Sequence, residues 1–458
     1  MKKLPLESKQ IKLLILLFAG VLMGALDIAI IGPALPAIKD SLGISVKDSS
    51  WIFNIYLISN LVAVPIFAKI SDTYGRRDIY ILSILLFALG SLIIVLSDSF
   101  QVLLIGRAVQ GIGAGGIFPV ASAVIGDTFP LERQGSALGM IGAVFGVAFI
   151  IGPIIGGVIL LWDWHYIFAV NLPIAIIIIY FALKLIPKTK PISVRKFDFL
   201  GLLILSIILI FASLSFNSLK SEGLFESISE PSVFIPLVVS FLLIPIFIKV
   251  EKKSNNPLIS PKLFHKKSLI VTYLIGVGAG FAESSAMFMP LFAQENFNLS
   301  HSNASFMLIP MVFAMLIGAP ISGRLLDTKG PRFSIILGIS TLFSGFLSFI
   351  FYGFDIVGFY FAGILVGIGL AFLLGAPLRY MVNTNTDESM RASGQGVVTL
   401  STSTGKILST ALLGAILNNT TFMFSNYQKG FAFLLVITFL MLVAGFFLPK
   451  RFVDIQNK

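Results

Sequence analysis

The segment Leu13–Gly32 reads LLILLFAGVLMGALDIAIIG, and it decides the fold class. About twenty mostly apolar residues form a helix long enough to cross a bilayer core of about 30 Å. A second segment, Leu269–Phe288, reads LIVTYLIGVGAGFAESSAMF and lies 256 residues later. Both segments carry two glycines and then an acid at the same spacing, and the acids are Asp27 and Glu283. The two segments therefore predict a membrane protein of two repeated units, each with a carboxyl group in its first span.

The composition is typical of a membrane protein along the whole chain. Of the 458 residues, 56% are apolar and 12% are charged, which is about half the charged fraction of a soluble domain. This composition excludes ordinary soluble enzymes, disordered chains and fibrous proteins. Cysteine is absent, and the three histidines are scattered in the sequence. We therefore expect no disulfide, no thiolate site and no metal cluster.

Hydropathy over a helix-length window predicts fourteen membrane helices. Their approximate limits are 12–35, 50–69, 79–97, 100–125, 135–160, 165–186, 198–216, 232–250, 268–292, 303–324, 333–352, 356–379, 394–417 and 430–449. The strands of a membrane barrel would alternate over about ten residues, so the predicted class is all-α. We expect six plus two plus six spans: an N-terminal bundle over 1–187, two inserted helices with linkers over 188–258, and a C-terminal bundle over 259–458.

The distribution of Lys and Arg predicts the orientation. With both termini in the cytoplasm, 27 of the 33 basic residues fall on the cytoplasmic side and four on the other side. The remaining two, Arg107 and Lys406, lie inside predicted spans. This asymmetry follows the positive-inside rule and explains the net charge of +11 without nucleic acid as a partner. The predicted location is the cell (plasma) membrane.

The repeat recurs in a loop and in a later span. The loops after the second and tenth spans share four residues at an offset of 255: Asp72, Thr73, Gly75 and Arg77, then Asp327, Thr328, Gly330 and Arg332. The fourth and twelfth spans share Gly-Ile-Gly, at 111–113 and 367–369. Parallel halves are an architecture of secondary transporters, whose substrate site lies near the midplane between the halves. A duplicated structural protein is the alternative, but it does not explain charges inside the spans.

Four ionisable side chains lie inside predicted spans: Asp27, Arg107, Glu283 and Lys406. Each is unfavourable by about 2.5–3.5 kcal/mol near a helix centre, so such residues usually face a cavity or a partner and mark a transport path. A buried ion pair that only holds helices together is the alternative. The depths of Asp27 and Arg107 in their spans favour contact between them. Lys406 fits no expected pattern and would suit an anionic or zwitterionic substrate.

A carboxyl group inside a membrane can carry protons. A low dielectric raises the pKa of a carboxyl group, and a nearby cation lowers the pKa again. A cavity that opens to alternate sides changes both effects, so the group can load a proton outside and release it inside. We therefore expect protons as the coupling ion, no cofactor, and Asp27, Glu283 and Arg107 as the coupling residues.

Five motifs resemble the fourteen-helix drug:proton antiporters of the major facilitator superfamily, which include multidrug and tetracycline-type exporters. The motifs are LDIAIIGPALP at 26–36, KISDTYGRR at 69–77, RAVQGIGAG at 107–115, Gly146 with GPIIGG at 152–157, and Trp164 with Ile167, Phe168, Asn171 and Pro173. The resemblance covers essentially the whole chain. It implies the major facilitator fold, alternating access, and antibiotic resistance through export of lipophilic, preferentially cationic drugs by the proton motive force.

The resemblance also implies a conformational latch at the loop motif. The latch residues are Asp72, Gly75, Arg76 and Arg77, with a second copy at Asp327, Gly330 and Arg332. Simple anchoring of the inner face is the alternative, and the second copy favours the latch. Pro331 stands where the first copy has Arg76, so we expect the second latch to be weaker.

The fifth-span motif implies a bendable antiport seam between the halves. Its residues are Gly146, Gly152, Pro153, Gly156 and Gly157. Proline removes a backbone donor, and glycine lets helices approach closely. Ordinary packing of small residues is the alternative.

Substrate contacts are expected from polar and soft apolar side chains. The candidates are Asn54, Tyr56, Asn60, Gln110, Phe281, Glu283, Met287, Phe288, Met311 and Lys406. Methionine and aromatic surfaces accommodate varied ligands. The alternative for each is ordinary packing, because most of the 43 Phe must face lipid or other helices.

The leading hypothesis is a proton-coupled antiporter that exports lipophilic, preferentially cationic compounds. The alternative is a proton-coupled uptake symporter or a facilitator of a small metabolite on the same fold. A membrane enzyme or sensor is not expected, because the sequence has no metal cluster, nucleophile motif or soluble effector domain. The glycine pattern at 111–116 lacks the preceding strand of a dinucleotide site. We expect a monomer in the lipid bilayer that acts on a small molecule.

Overall fold

The protein is described by a computed structural model over residues 8–44, 46–188, 198–218, 229–254, 257–299, 301–417 and 423–449. Within those ranges the regular secondary structure is helical, and no strand occurs. The fourteen main helices are α1 Ser8–Leu42, α2 Val46–Tyr74, α3 Arg76–Val95, α4 Phe100–Thr128, α5 Leu131–Ile159, α6 Asn171–Leu185, α7 Phe199–Asn217, α8 Pro231–Lys253, α9 Lys267–Phe297, α10 Ile309–Lys329, α11 Pro331–Tyr352, α12 Ile356–Leu374, α13 Arg391–Leu417 and α14 Met423–Gly445. Shorter helical segments are Tyr166–Ala169, Pro261–Phe264, His301–Phe306, Pro377–Asn385 and Glu388–Met390.

A helix lies at each predicted position, but not every helix qualifies as a membrane span. Among the described residues, 12 helical stretches are long and apolar enough to cross a membrane. The apolar part of α7 is shorter, at Phe199–Ser215, and α13 is rich in Ser and Thr. The structure therefore supports twelve candidate spans, and α7 and α13 account for the difference from the predicted fourteen.

The end of the twelfth predicted span differs from the expectation. α12 ends at Leu374, and a second helical segment, Pro377–Asn385, continues the chain beyond the predicted end of the span. The break precedes Pro377, which has no N–H to continue the helical hydrogen bonds. Arg379 is one of the 27 basic residues that the predicted topology assigns to the cytoplasmic side, but it lies in this second segment and is only 5% exposed.

Two glycines make the tight turns at the loop motifs. Gly75 separates α2 from α3 with φ of 111°, and Gly330 separates α10 from α11 with φ of 89°. Positive φ is available to glycine without the steric cost that a side chain would bring. The two copies of the motif therefore share their backbone conformation as well as their sequence.

The packing of helices follows the sequence repeat. In the first half, α1 packs on α5, α2 on α4, and α3 on α4 and α6. In the second half, α9 packs on α13, α10 on α12, and α11 on α12 and α14. Each contact of the first half returns in the second between the corresponding helices, and each half has a large apolar core of its own.

The two most extensive helix contacts between the halves are also related by the repeat. α5 packs along α10, and α2 packs along α13. The inserted helices α7 and α8 pack on each other, and α7 also touches α2. The surfaces of the two halves that face each other are therefore formed around α2, α5, α10 and α13.

Candidate transport site

The predicted coupling residues of the first half form one hydrogen-bonded network. Arg107 Nη1 donates to Asp27 Oδ2 over 2.6 Å and to Gln110 Oε1 over 2.6 Å. Gln110 Nε2 donates to the other carboxylate oxygen, Asp27 Oδ1, over 2.8 Å. The expected contact between Asp27 and Arg107 is therefore present. We call these three residues the sealed network.

Neighbouring helices hold the guanidinium group of this network. Arg107 Nε donates to the backbone carbonyl of Ile52 over 3.0 Å. The Arg107 Cζ atom lies 4.2 Å from the ring centroid of Tyr56, which gives a cation–π contact. Because these partners come from α2, the arginine on α4 connects α1 and α2.

The network is closed to solvent in this conformation. The side chains of Asp27 and Arg107 are 1% and 0% exposed. An apolar cluster that includes Ile31, Leu103 and Phe168 covers the network on the side away from the loop motifs. The sequence suggested a carboxyl group that is open to a cavity, and Asp27 does not have that exposure here. Proton exchange at Asp27 therefore requires a movement that breaks the network.

The acid of the second half has the opposite environment. Lys406 Nζ donates to Glu283 Oε1 over 2.7 Å. The side chains of Lys406 and Glu283 are 43% and 31% exposed. Both groups are therefore open to exchange with solvent or with a charged molecule. We call Glu283 and Lys406 the exposed pair.

Glycines bring α9 and α13 together at the exposed pair. Gly280 faces the backbone of Thr402, and Gly405 faces the backbone of Val277. In both places a side chain would overlap the neighbouring helix. The close crossing places the acid of α9 within reach of the lysine of α13, as small residues do in membrane helix packing.

Four predicted substrate contacts lie in packed interiors. Gln110 belongs to the sealed network, and Tyr56 packs against it. Phe281 is buried with its ring centroid 5.9 Å from that of Phe433. Met311 is 3% exposed and packs against α12. These side chains complete the interiors of the two halves, so they do not face a substrate in this conformation.

The other predicted contacts keep more exposure. Asn54, Asn60 and Phe288 are half-buried, as are both members of the exposed pair. The Met287 side chain lies outside the described residues. The expected substrate surface is therefore reduced to a few polar and aromatic groups around the facing helices.

The first loop motif binds the second half of the molecule. The Asp72 carboxylate accepts from the backbone N–H groups of Ala392, over 3.0 Å, and Ser393, over 2.7 Å. These are the first residues of α13, where free N–H groups and the helix dipole favour a negative charge. We call the end of the molecule that carries the two loop motifs the motif end.

The second loop motif repeats this contact in the opposite direction. The Asp327 carboxylate accepts from the backbone N–H groups of Gly135, over 2.9 Å, and Ser136, over 3.1 Å, in the second turn of α5. Arg332 instead lies near its own half, with Cζ 5.7 Å from the ring centroid of Phe446. Two carboxylates thus close the motif end, each at the N-terminus of a helix of the other half.

Arg76 is the arginine that connects the first motif to its surroundings. It forms ion pairs with Asp72 and Asp127 and donates to the backbone carbonyl of Glu388 over 2.7 Å. Arg77 pairs with its exposed neighbour in the chain. Of the two predicted latch arginines, Arg76 therefore makes the contact between halves and Arg77 does not.

Only part of the predicted antiport seam lies between the halves. Gly146 lies against Leu316 of α10, whereas Gly152 and Gly156 lie against α1 of their own half. Gly157 has open space beside it, and the Pro153 side chain is outside the described residues. α5 thus leaves α10 beyond Gly146, so the halves are close at the motif end and diverge from there.

Sequence reasoning missed several partners of these groups. Ser91 Oγ accepts from Gln110 Nε2 over 2.9 Å and from Asn171 Nδ2 over 3.3 Å. At the motif end, Arg391 pairs with Asp127 over 2.6 Å. Asn171 stands in one of the quoted motifs, which was a usable signal. Ser91 and Asp127 had none, because their partners lie on other helices.

Comparisons with known proteins agree with this architecture. The chain matches the Major Facilitator Superfamily model over residues 17–410. It is 35% identical to the Bacillus subtilis (strain 168) protein named "Uncharacterized MFS-type transporter YfiU", over 82% of this chain and 74% of that protein. It is 31% identical to "Multidrug resistance protein 3" of the same bacterium, over 72% of this chain and 64% of that protein. It is 29% identical to "Riboflavin transporter RibZ" of Clostridioides difficile (strain 630), over 70% and 68%.

A solved structure shares the fold. The human organic anion transporter MFSD10 (TETRAN) matches with a TM-score of 0.70 at 15% identity, over 96% of this chain and 100% of that chain. The protein therefore belongs to the Major Facilitator Superfamily. It is a multi-pass membrane transporter of small molecules, and not an enzyme. The names of its relatives cover more than one kind of cargo, so membership by itself does not define the substrate.

Proposed function

We propose that this protein is a fourteen-span drug:proton antiporter that exports lipophilic, preferentially cationic compounds. The observation that carries the proposal is the sealed network, in which an acid inside the membrane has a guanidinium as its counter-charge. Ionisable side chains within membrane helices are costly and usually mark a transport path. A relative named as a multidrug resistance protein supports the choice of cargo.

Both termini lie in the cytoplasm in this proposal, so the motif end is the cytoplasmic end. The structure is then an outward-facing conformation, because Asp72 and Asp327 close the motif end. α7 and α13 cross the membrane between the other helices. α13 does so despite its Ser and Thr residues because it packs on α9 and α2.

Protonation of Asp27 provides the coupling step. A neutral carboxyl group no longer balances Arg107, so the hydrogen bonds from Arg107 and Gln110 to Asp27 weaken together. Arg107 keeps its bond to the carbonyl of Ile52. Loss of the α1 contact changes how α1 packs on α4, and the change favours the inward-facing conformation, in which the proton leaves.

The exposed pair provides the contact with cargo. A cationic group competes with Lys406 for the Glu283 carboxylate, and the exposure of both side chains makes this exchange inexpensive in desolvation energy. The sealed network and the exposed pair thus have separate tasks, which are proton coupling and cargo binding.

The proton motive force is sufficient for strong accumulation. One proton that enters down about 100 mV releases about 2.3 kcal/mol, and one pH unit adds about 1.4 kcal/mol. Together they hold a gradient of about 500-fold for a neutral substrate. When one proton exchanges for one monovalent cation, the electrical part cancels.

Flux in proteoliposomes tests the coupling. Purified protein is reconstituted, a pH gradient is imposed, and movement of ethidium against its own gradient is followed. We expect the gradient to drive ethidium movement and a protonophore to stop it. Ethidium movement that is indifferent to the pH gradient would contradict the proposal.

The absence of cysteine makes the orientation easy to test. Lys9→Cys and Lys429→Cys each introduce a single thiol at an exposed position, one near the start of α1 and one in α14. A membrane-impermeant maleimide applied to intact cells should label the second variant and not the first. The reverse result would contradict the proposed orientation.

Uptake of a small metabolite is the competing function. A relative named as a riboflavin transporter favours a small metabolite as the cargo of this second candidate. Expression should lower the cellular content of lipophilic dyes under the export proposal, whereas it should raise the content of the metabolite under the alternative.

A further inference from the structure

Arg379 is a buried cation between the two halves. It lies on the segment Pro377–Asn385, and its Cζ atom is 3.6 Å from the ring centroid of Phe118 on α4. Its Nη1 donates to Gln395 Oε1 over 3.1 Å and its Nη2 to Thr399 Oγ1 over 3.4 Å. The Nε atom is buried and has no hydrogen-bond partner.

Arg379 has no carboxylate partner among the described residues. Arg76 and Arg107 are as deeply buried, and each pairs with an acid. The groups around Arg379 are an aromatic face, an amide and a hydroxyl, all of them neutral. A buried charge is costly unless it is paired. The site therefore lacks a negative charge that its two counterparts have.

The unsatisfied edge of this guanidinium has the geometry of an anion site. Nε has no acceptor, and the neighbouring Nη2 has one long bond. Nε–H and one Nη–H of an arginine point in the same direction and bind the two oxygens of a carboxylate in parallel. A carboxylate at this edge would replace the long bond to Thr399 with two parallel charged hydrogen bonds.

The site lies on the same helix face as the exposed pair. Gln395, Thr399, Thr402 and Lys406 follow one another at spacings of four, three and four residues, which places them along one side of α13. Thr399 and Phe118 are half-buried, so the surface beside Arg379 is not closed. Lys406 is seven residues from Thr399, or about 10 Å along the helix.

We propose that Arg379 binds an anionic group of the cargo. The inference rests on the proposed export function and makes lipophilic zwitterions its preferred substrates. The cationic centre of such a molecule binds at Glu283, and its carboxylate binds at Arg379 about 10 Å nearer the motif end. The carboxylate supplies the missing counter-charge, so cargo stabilises the packing of Arg379 between the halves.

A pair of dyes that differ in one group tests the proposal. Rhodamine B carries a carboxylate and a cationic ring system, and its ethyl ester carries only the cation. Fluorescence polarisation measures the binding of each dye to purified protein in nanodiscs, with empty nanodiscs as background. We expect wild-type protein to bind rhodamine B at least about tenfold more tightly than the ester, as an added charged hydrogen bond provides.

Variants then locate the preference. Arg379→Gln should lower the affinity for rhodamine B about tenfold and leave the ester within about twofold, while Arg379→Lys should keep part of the preference. Arg324→Gln removes an exposed arginine and is the matched control. Equal binding of the two dyes by wild-type protein would overturn the proposal. An equal loss of affinity for both dyes in Arg379→Gln would indicate a structural role and would also overturn the proposal. The same holds if the preference for rhodamine B is lost in Lys406→Gln but kept in Arg379→Gln.

Binding and coupling fail separately in this design. The binding measurement needs no proton gradient, so a dye preference that depends on Arg379 survives if proton coupling is wrong. Conversely, pH-driven flux of both dyes without a preference at Arg379 leaves the export proposal standing and removes the anion site.

Discussion

The acids at position 27 and at position 283 are equivalent in the sequence repeat and different in their surroundings. Asp27 is sealed with Arg107 and Gln110, while Glu283 shares an exposed ion pair with Lys406. The environments of the two acids differ because the repeat includes the acids but not their cationic partners, Arg107 and Lys406. The position 256 residues after Arg107 is Gly363, and the position 256 residues before Lys406 is Ile150. The two charge pairs thus have equivalent acids but unrelated basic partners, which is consistent with two separate functions.

The largest effect is expected at the sealed network. Asp27→Asn removes the proton carrier and leaves Arg107 without its counter-charge. For ethidium, a monovalent cation, only the pH part of the driving force remains, so the steady-state gradient in proteoliposomes should fall from about tenfold per pH unit to none. Asp40→Asn, at an exposed position on the same helix, is the control and should transport normally. Normal pH-driven flux in Asp27→Asn would contradict the assignment of proton coupling to Asp27.

Double-mutant cycles should separate the two pairs by stability. Removing one partner of a buried pair costs about 3–5 kcal/mol, whereas an exposed pair is worth about 0–1 kcal/mol. We therefore expect a strong interaction energy between Asp27→Asn and Arg107→Gln, and a weak one between Glu283→Gln and Lys406→Gln. Reversible unfolding in mixed micelles measures both cycles. Similar interaction energies would mean that burial does not distinguish the pairs.

Both halves contribute a carboxylate to the contacts at the motif end. Asp72→Asn and Asp327→Asn each remove a carboxylate charge from the N-terminal part of a helix of the other half, a contact worth about 1–2 kcal/mol. The larger effect is expected for Asp72→Asn, because Asp72 also forms an ion pair with Arg76. Each change should raise the population that is open at the motif end by about 5–30-fold. Spin labels on Tyr74→Cys and Lys329→Cys report the distance between the halves in a chain without native cysteine.

Asp355→Asn is the control for that experiment. Asp355 also accepts from backbone N–H groups at a helix N-terminus, but the helix belongs to its own half. The distance distribution should therefore not change in this variant. A shift in Asp355→Asn as large as that in Asp72→Asn would contradict a latch between the halves.

The smallest effect is expected at the exposed pair. Glu283→Gln should reduce the export of ethidium by up to about fivefold, because an exposed ion pair is worth at most about 1 kcal/mol. Export of a neutral dye should be unchanged, so the substrate range narrows toward neutral compounds. Dye efflux from cells without pumps of their own measures both. An unchanged preference for cations would remove Glu283 from cargo binding.

Sequence patterns predicted the helical fold and the contact between Asp27 and Arg107. The apolar segments, the offset of about 256 residues and the depth of the charges predicted the helical halves and the contact between Asp27 and Arg107. Patterns did not separate Arg76 from Arg77, because adjacent residues differ only in the direction of their side chains. They also assigned Arg379 to the cytoplasmic side at the end of a span. Hydropathy does not show that a second helical segment starts at Pro377 and places Arg379 in the interior.

The sequence by itself determined that the protein spans a membrane, that its two halves share a repeat and that four charges lie within its long helices. These properties depend on composition and on residue spacing along the chain, because a membrane helix is defined by the apolar residues within one segment. Only the tertiary structure decided which of these charges are sealed, which are exposed, and that Arg379 has no carboxylate partner among the described residues. Those outcomes depend on which helices cross and how closely, so side chains hundreds of residues apart set the local dielectric and the counter-charge.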